Sequence, residues 1–326
     1  MKITVLGAGA WGTALARLLC DGKNSVTLWG HDAAHLATMA QTFHNERYLP
    51  GIELPRDLKL EADLAKAVAD AEMVVVAVPS KAFRKVTAAL KNFSGIIVSV
   101  TKGIEHDTGL TMCGILEQTA PHAKLAALSG PSLALEVARG VPTAIVAASA
   151  VAATATAVQN VFHRPSFRVY TSNDLTGVEL GGALKNVIAI AAGVCDGLGF
   201  GDNSKAALVT RGLAEIRRLG VACGAQSETF PGLSGLGDLM VTCFSKLSRN
   251  RGLGERLGRG EKIEVILANA VSVAEGYPTA KSAHALARKL KVATPVIDEI
   301  YATLYENKPP ARALQDLTMR ESKAED

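Results

Sequence analysis

The feature that most constrains the fold of this chain is a glycine-rich turn near its start. An apolar segment at 2–6 leads directly into the sequence GAGAWG at 7–12, and a helical pattern follows at 14–20. A second apolar segment occupies 25–29. A strand, a G-x-G-x-x-G turn, a helix and a second strand form the arrangement that binds a dinucleotide in α/β proteins. The alternative, a glycine-rich turn without a ligand, is disfavoured because the flanking pattern agrees with the motif.

Each glycine of this turn has a physical role in such a site. Gly7 permits the tight turn after the strand, Gly9 lets the backbone approach a pyrophosphate, and Gly12 lets the helix pack closely on the strand. The pyrophosphate would lie at the helix N-terminus, where free N–H groups and the helix dipole favour an anion. We therefore predict that the turn binds NAD or NADP.

Strand and helix patterns alternate through the first half of the chain and then give way to helices. Further apolar strand patterns occur at 73–78, 96–100, 125–128 and 143–147, with helical patterns at 63–70 and 81–90. Such alternation indicates βαβ units and a mostly parallel sheet. The later patterns are helical, at 177–193, 203–219, 250–258, 262–268, 275–290 and 295–306. We predict an α/β Rossmann domain at 1–178 that binds the dinucleotide, and an all-α domain at 179–326 that binds the substrate and carries the catalytic residue.

Composition argues against several classes of protein. The net charge is +4 and no Lys/Arg block is long enough for a nucleic-acid arm, so we expect no nucleic-acid partner. The five cysteines are scattered without a C-x-x-C pair, which is typical of a reduced cytoplasmic protein and suggests no metal site. No run of about 18 uninterrupted apolar residues occurs, so we expect no membrane span.

The end of the second strand bears on the choice between NAD and NADP. NAD-specific folds usually place a carboxylate there, roughly 20 residues past the glycines, to bind the ribose 2′-hydroxyl. In this chain Gly30 occupies that place and His31 follows. Without a carboxylate the 2′-phosphate of NADP meets no repulsion, and His31 can hydrogen-bond it, so we slightly favour NADPH. In the alternative, Asp32 reaches the ribose or caps the next helix.

Two further segments follow strands at the edge of the sheet where ligands of such folds bind. Lys102, in the sequence TKG at 101–103, is either a ligand of an anion or carbonyl group or a solvated charge at a strand end. The sequence SGPSLA at 129–134 can present backbone N–H groups to an anion or a nicotinamide. The alternative for this segment is a plain turn in which Ser132 caps a helix.

Lys185 is the one cation of a helical segment, 180–193, that is apolar nearly all round and should therefore be buried. Its neighbours one helical turn away are Gly181, Gly182 and Ala189, which leave space and offer no carboxylate. Burial without a partner lowers the pKa of a lysine towards the range that a general acid or base needs. The alternative is a lysine that extends from a domain edge to solvent.

The segment 235–251 combines Asp238 with several hydroxyl residues and with Arg249, Asn250 and Arg251. Arginine with asparagine and serine donors suits a phosphate, because the guanidinium group reaches two oxygens at once. The alternative is surface charge at a helix start. It is disfavoured because cations there oppose the helix dipole unless an anion is bound.

These segments together resemble the bacterial-type NAD(P)-dependent glycerol-3-phosphate dehydrogenases over essentially the whole chain. The matching segments include GAGAWGTALA, SVTKGIE, LSGPSLALEVARGVPTA, VELGGALKNVIAIAAG, GLSGLGDLMVTCFSKLSRNRGLG and VAEGYPTAKS. The resemblance implies a Rossmann domain joined to a helical domain, with the active site between them. It also implies interconversion of sn-glycerol 3-phosphate and dihydroxyacetone phosphate with NAD(P)H, which supplies glycerol 3-phosphate for phospholipid synthesis. We expect a homodimer.

The resemblance assigns site residues by position, and Lys185 matches the proton acceptor. The implied substrate contacts are Lys102, Gly130, Ser132, Lys185, Asp238, Ser248, Arg249 and Asn250. The implied cofactor contacts are Gly7, Gly9, Ala10, Trp11, Gly12, His31, Lys102, Ala134, Arg249, Val273 and Glu275. In the implied mechanism Lys185, helped by Lys102 and oriented by Asp238, polarises the ketone oxygen and supplies its proton, while Arg249 and Asn250 hold the phosphate. One departure from the family is the pair Ala10 and Trp11, since the family often has a serine in it.

The residues alone leave two other functions open. Another two-domain dehydrogenase, acting on a hydroxy acid or a hydroxyacyl thioester, would not need the sequence SRNR at 248–251. A dinucleotide-sensing regulator without catalysis would have no reason to bury Lys185.

Overall fold

The computed structural model describes residues 1–270 and 273–321, and within these ranges no strand follows residue 172. The strands are β1 (Lys2–Leu6), β2 (Ser25–Trp29), β3 (His44–Asn45), β4 (Leu49–Glu53), β5 (Lys59–Glu61), β6 (Met73–Val76), β7 (Ile96–Ser99), β8 (Lys124–Ser129), β9 (Thr143–Ala148) and β10 (Phe167–Ser172). The helices among the strands are α1 (Ala10–Cys20), α2 (Ala33–Thr42), α3 (Leu64–Val68), α4 (Ser80–Thr87), α5 (Met112–Thr119), α6 (Ala134–Ala138) and α7 (Ala152–Phe162). The later helices are α8 (Leu175–Gly197), α9 (Asp202–Ala222), α10 (Asp238–Phe244), α11 (Arg249–Gly258), α12 (Ile263–Ala268), α13 (Gly276–Leu290), α14 (Pro295–Tyr305) and α15 (Pro310–Thr318).

The main sheet has eight strands in the order β10-β9-β8-β7-β6-β1-β2-β5. Its neighbouring pairs are parallel except for β8 and β9, which are antiparallel. This confirms the predicted α/β fold with a mostly parallel sheet. The chain adds β2 and β5 on one side of β1, and then crosses to the other side to add β6 and the later strands. At this change of direction a crevice opens at the carboxyl ends of β1 and β6. Ligands of α/β proteins bind in such a crevice.

The sequence patterns located six of the eight strands of this sheet and missed the two at its edges. In β10, buried Phe167 and Val169 alternate with exposed Arg168 and Tyr170, because one face alone packs on the core. β5 is three residues long. Edge strands need few apolar residues, so a search for buried apolar runs passes over them.

α8 is the central helix of the second half of the chain. All its residues from 177 to 195 are buried, and α9, α10, α11, α13 and α14 pack around it. Among the described residues it is the one helix that is long and apolar enough to cross a membrane. Its apolar segment is fully enclosed by the protein, as in the core helix of a globular domain.

α8 and α11 cross in close contact through glycines. A Cβ added at Gly193 of α8, or at Gly254 of α11, would lie 2.0 Å from a backbone carbonyl oxygen of the other helix. Larger residues would therefore force the two backbones apart. The close approach sets the start of α11 beside the middle of α8, where Asn250 reaches Asn186.

Candidate active site

The glycine turn has the shape that a bound pyrophosphate requires. Gly7 has a φ of +119°, a backbone conformation that favours glycine. A Cβ added at Gly12 would lie 1.9 Å from the Gly7 carbonyl oxygen. Gly9 faces open space, since nothing lies within 4 Å of an added Cβ, and no side chain caps the start of α1. The residues present therefore fit a dinucleotide, with its pyrophosphate at the N-terminus of α1.

The end of β2 gives a steric reason for the missing carboxylate. A Cβ added at Gly30 would lie 3.0 Å from the Ala8 Cβ and 3.2 Å from Leu36, so a larger residue has little room. Of the two roles considered for Asp32, capping is the one that the structure contains. Its carboxylate accepts a hydrogen bond from the His35 N–H at 3.0 Å, and this bond holds the pKa of Asp32 below its ordinary value.

Two basic side chains lie near this strand end. His31 is exposed directly after Gly30. Arg47, in the turn between β3 and β4, places a guanidinium nitrogen 3.5 Å from the second carboxylate oxygen of Asp32. The surface beside the predicted ribose position therefore carries an imidazole and a guanidinium group, and the Asp32 carboxylate is already bound to the His35 N–H and to Arg47.

Two lysines and a carboxylate form the centre of the site. Asp238, which follows a π-helical turn at Leu233–Gly237 and begins α10, accepts hydrogen bonds from Lys185 Nζ at 2.8 Å and Lys102 Nζ at 2.6 Å. One turn further along α10, the Thr242 hydroxyl accepts a bond from Lys185 at 2.5 Å and donates to the Asp238 carbonyl oxygen at 2.6 Å. Asp238 is 1% exposed and Lys185 is 5% exposed. The structure thus joins three of the predicted residues in one buried network.

The predicted burial of Lys185 is confirmed. The interpretation of Lys185 as unpaired, drawn from its own helix, is wrong, and the carboxylate that binds it is Asp238, as the resemblance implied. Its own helix offers no carboxylate, and Asp238 comes from α10, 53 positions away in the chain. The neighbouring glycines do not leave empty space either, because a Cβ added at Gly182 would lie 2.5 Å from the Ser129 hydroxyl oxygen. Desolvation lowers the pKa of Lys185 to about 8; the charge of Asp238 opposes this shift, and that of Lys102 adds to it.

Lys102 crosses from the end of β7 towards the end of β8. Besides Asp238, its ammonium group binds the Gly130 carbonyl oxygen at 3.1 Å. The alternative of a solvated charge at a strand end is therefore excluded. The Ser132 hydroxyl donates to the same carbonyl oxygen at 2.9 Å, which places Ser132 beside the lysine.

The segment after β8 does not contain the alternative helix cap. α6 begins at Ala134, its capping position is Leu133, and no side chain caps it. Ala134 instead packs in one apolar cluster with Trp11 of the glycine turn. These two predicted cofactor residues therefore lie close together, although they come from different strand ends.

The start of α11 gathers the residues predicted to bind phosphate. Ser248 caps this helix, because its hydroxyl oxygen accepts a bond from the Arg251 N–H at 3.2 Å. Asn250 is buried; its amide donates to the Asn186 side chain at 2.8 Å and accepts from the Gly276 N–H at 2.9 Å. Arg249 is exposed and donates to the Val273 carbonyl oxygen at 2.9 Å.

The neighbouring arginine has a different role. Arg251 lies 2.6 Å from the Asp196 carboxylate and 3.2 Å from that of Glu255. Arg251 therefore ties α11 to the end of α8, and carboxylates already bind its guanidinium group.

Arg249 uses one of its five N–H donors to bind the Val273 carbonyl oxygen. Most of its donors therefore remain for a ligand.

Comparison with known proteins decides the family. The model of the NAD-dependent glycerol-3-phosphate dehydrogenase N-terminus matches residues 2–155, and that of the C-terminus matches residues 174–315. The chain belongs to this family. Among its relatives, the glycerol-3-phosphate dehydrogenase (NAD(P)+) of Anaeromyxobacter dehalogenans is 51% identical over 100% of both chains. That of Chlorobium phaeobacteroides is 47% identical over 100% of this chain and 99% of the other.

A solved structure agrees with this membership. The glycerol-3-phosphate dehydrogenase of Coxiella burnetii superposes with a TM-score of 0.95 at 37% identity, over 98% of this chain and 99% of that chain. The expected resemblance is confirmed, and the chain is an oxidoreductase that uses NAD or NADP. The described part of the chain contains no group of three or more His, Cys, Asp or Glu residues that could hold a metal ion.

The structure adds four residues to which the sequence patterns gave no role: Thr242, Asn186, Arg47 and Ser80, the last of which donates two hydrogen bonds to the Glu275 carboxylate. Thr242 lies four positions after Asp238 in a helix, which places both on one face, so its spacing could have indicated it. Ser80 follows a buried strand as Lys102 does, and this position could also have indicated it. Asn186 and Arg47 have no local pattern that distinguishes them.

Proposed function

We propose that Lys185 is the general acid and base of this dehydrogenase, with Lys102 and Asp238 completing the catalytic centre. The chain interconverts glycerol 3-phosphate and dihydroxyacetone phosphate with NAD or NADP. The observation that carries the assignment is the binding of both lysines to one buried carboxylate. Two cations and one anion leave a net positive centre, which suits an oxygen that develops negative charge during the reaction.

The lysines act on the oxygen of the reacting carbon. When bound, the cofactor supplies the hydride that reduces the ketone carbon. Lys185 donates a proton to the ketone oxygen, Lys102 stabilises its negative charge, and Asp238 holds both ammonium groups in place. In the opposite direction, neutral Lys185 accepts the hydroxyl proton. A pKa of about 8 allows Lys185 to serve in both directions near neutral pH.

The substrate phosphate binds at the start of α11, where Ser248, Arg249 and Asn250 lie. The Arg249 guanidinium forms two hydrogen bonds with the phosphate, and the N-terminus of this ten-residue helix favours an anion. Gly130 and Ser132 contact the rest of the substrate beside Lys102. Binding energy from the phosphate thereby orients the reacting carbon at the lysines.

The cofactor lies along the carboxyl edge of the sheet. The turn from Gly7 to Gly12, with Ala10 and Trp11, holds the pyrophosphate. The remaining contacts are His31, Lys102, Ala134, Arg249, Val273 and Glu275. NADPH is slightly preferred over NADH. Support for this preference comes from the crowded Gly30 position, from the positive charge of Arg47 and from the exposed imidazole of His31.

Replacement of Arg47 by glutamine tests the cofactor preference. We expect kcat/KM for NADPH to fall about tenfold or more, because a hydrogen bond to a charged group contributes roughly 1.5–3 kcal/mol. The value for NADH should stay nearly constant, since NADH has no 2′-phosphate. Both are measured at saturating dihydroxyacetone phosphate. Arg56→Gln is the matched control, because Arg56 is likewise exposed and likewise lies over an aromatic ring. Equal losses with both cofactors would contradict a role at the 2′-phosphate.

The wider setting follows from the family resemblance. We propose a dinucleotide-binding domain at 1–178 and a substrate-binding domain at 179–326. The change from strands to helices between Ser172 and Leu175 supports two domains, and the proposed boundary lies in the first turn of α8. We also propose that the enzyme is a cytoplasmic homodimer whose glycerol 3-phosphate serves phospholipid synthesis. The free thiols of its cysteines suit a reducing compartment.

An absorbance assay tests the proposed reaction. Purified protein with dihydroxyacetone phosphate should oxidise both NADH and NADPH, with a higher kcat/KM for NADPH. Pyruvate, a 2-oxo acid without a phosphate, should give no comparable turnover. Reduction of pyruvate in preference to dihydroxyacetone phosphate would instead identify a hydroxy-acid dehydrogenase. Binding of NADPH without turnover of either compound would favour a dinucleotide sensor.

A further inference from the structure

A paired hydrogen bond joins the sheet to the helical half of the chain across 195 positions. Ser80, the first residue of α4, donates its backbone N–H to one carboxylate oxygen of Glu275 at 3.0 Å. Its hydroxyl donates to the other oxygen at 2.5 Å. Both oxygens of Glu275 are therefore held by a single residue, and a carboxylate held at two points has a fixed orientation.

The pair lies directly behind the catalytic centre. Gly103 follows Lys102, and a Cβ added at Gly103 would lie 2.7 Å from the Ser80 Cβ and 3.9 Å from the Glu275 carboxylate. The segments that follow β6 and β7 therefore both lie against the Glu275 carboxylate, through Ser80 and Gly103.

The segment 273–276 is tied on its other side to the start of α11. The Val273 carbonyl oxygen accepts a bond from Arg249, and the Gly276 N–H donates to Asn250. Glu275 lies between these two positions. One short segment thus connects the carboxyl edge of the sheet with the residues proposed to hold the substrate phosphate.

The Glu275 carboxylate keeps capacity for a further partner. A carboxylate has about four acceptor positions, and Ser80 uses two. Desolvation raises the pKa of Glu275, while the hydrogen bonds from Ser80 and the charges of Arg249 and Lys81 oppose that rise. Ser80 therefore favours the ionised form, which can accept a hydrogen bond from a ligand.

We propose that Ser80 is a positioning residue that latches segment 273–276 onto the start of α4 and so preorganises the part of the cofactor site beside Lys102. The proposal rests on the proposed cofactor contacts of Val273 and Glu275. Because Ser80 fixes the Glu275 carboxylate through contacts within the protein, less ordering of the segment accompanies cofactor binding, and binding is correspondingly tighter. Chemistry at Lys185 does not depend on the latch directly.

Replacement of Ser80 by alanine removes the hydroxyl bond and leaves the backbone bond. We expect the Kd of NADPH, measured by nicotinamide fluorescence at equilibrium, to rise about tenfold, because the segment that the hydroxyl held must then be ordered when NADPH binds. The kcat at saturating substrates should change less than about threefold, because proton transfer at Lys185 is untouched. Loss of the bond also raises the pKa of Glu275, so weakening of NADPH binding on the acid side should begin at a higher pH than in wild type.

Two further variants separate the latch from general destabilisation. Thr108→Ala is the matched control, because the Thr108 hydroxyl binds the Glu105 carboxylate on the surface in the same way, at 2.6 Å. It should leave the Kd of NADPH unchanged. In Glu275→Gln, the added Ser80→Ala change should have little further effect, since contacting residues are not additive.

The outcomes distinguish the latch from the proposed reaction. An unchanged Kd in Ser80→Ala, an equal rise in Thr108→Ala, or full additivity of Ser80→Ala and Glu275→Gln would overturn the latch. Because NADPH binding is measured without substrate, it tests the latch even if wild type fails to reduce dihydroxyacetone phosphate. That failure would overturn the proposed reaction alone.

Discussion

Replacement of Lys185 by alanine is expected to lower the turnover of dihydroxyacetone phosphate about 10²-fold or more, because general acid catalysis by a positioned side chain contributes at least this factor. The variant should still fold, since Asp238 keeps Lys102 as a partner. The KM of the cofactor should change little, because Lys185 is not among the proposed cofactor contacts. Steady-state kinetics with saturating NADPH measures both quantities.

The pH dependence of wild type tests the same assignment. Burial lowers the pKa of Lys185 to about 8. Reduction needs the protonated amine, so kcat/KM for dihydroxyacetone phosphate should fall as pH rises through this value. Oxidation of glycerol 3-phosphate needs the neutral amine, so its kcat/KM should rise over the same range. The residual activity of Lys185→Ala should show neither the fall nor the rise of kcat/KM near pH 8.

Lys205 provides the matched control for this variant. It is also buried and bound to a carboxylate, Asp196, but it lies outside the catalytic centre. Lys205→Ala should lower the free energy of unfolding and keep kcat within about threefold of wild type, because it removes a paired charge and no catalytic group. If Lys185→Ala kept a near-normal kcat, or if its kcat/KM still changed with pH near pH 8, another group would be the proton donor. Lys102 would be the first candidate.

Replacement of Arg249 by alanine should lower kcat/KM for dihydroxyacetone phosphate by about two orders of magnitude. Two charged hydrogen bonds to phosphate contribute roughly 1.5–3 kcal/mol each, and 1.4 kcal/mol corresponds to tenfold. The loss should be much smaller for unphosphorylated dihydroxyacetone, which wild type should already use poorly. Arg249→Lys should recover part of the activity, because an ammonium group cannot reproduce the planar guanidinium.

Arg249 is proposed to contact the cofactor as well as the substrate phosphate. The KM of NADPH is therefore measured in each variant as a control. Arg256→Ala removes a partly exposed arginine of the same helix that pairs with Glu261, and it should leave kcat/KM unchanged for both the phosphorylated and the unphosphorylated substrate. An equal loss on the phosphorylated and unphosphorylated substrates would remove Arg249 from the phosphate site.

Sequence reasoning succeeded where the pattern is local. The glycine turn was predicted because strand, turn and helix lie within 20 residues and because steric limits on glycine act between near neighbours. The burial of Lys185 was predicted from the apolar residues on every side of its helix. The edge strand β10 was missed, since its alternating residues pack on one face alone.

The partners of the site residues could not be predicted in this way. Asp238 meets Lys185 from 53 positions away, and Glu275 meets Ser80 from 195 positions away. The first meeting depends on how α10 packs against α8, and the second on how segment 273–276 lies over the sheet edge. Neither contact depends on a local spacing. The sequence of α8 alone therefore predicts no partner for Lys185, because the partner lies on another helix.

The sequence by itself therefore determined the glycine turn, the α/β-then-α order and the burial of Lys185. These properties follow from periodicity, glycine sterics and residue type, which act over a few neighbouring positions. The tertiary structure alone decided that one carboxylate serves both lysines, that Asp32 caps a helix, and that Arg251 ties α11 to α8. These pairings are fixed by helix crossings such as that of Gly193 and Gly254, because contact between distant segments is set by the shapes that pack together.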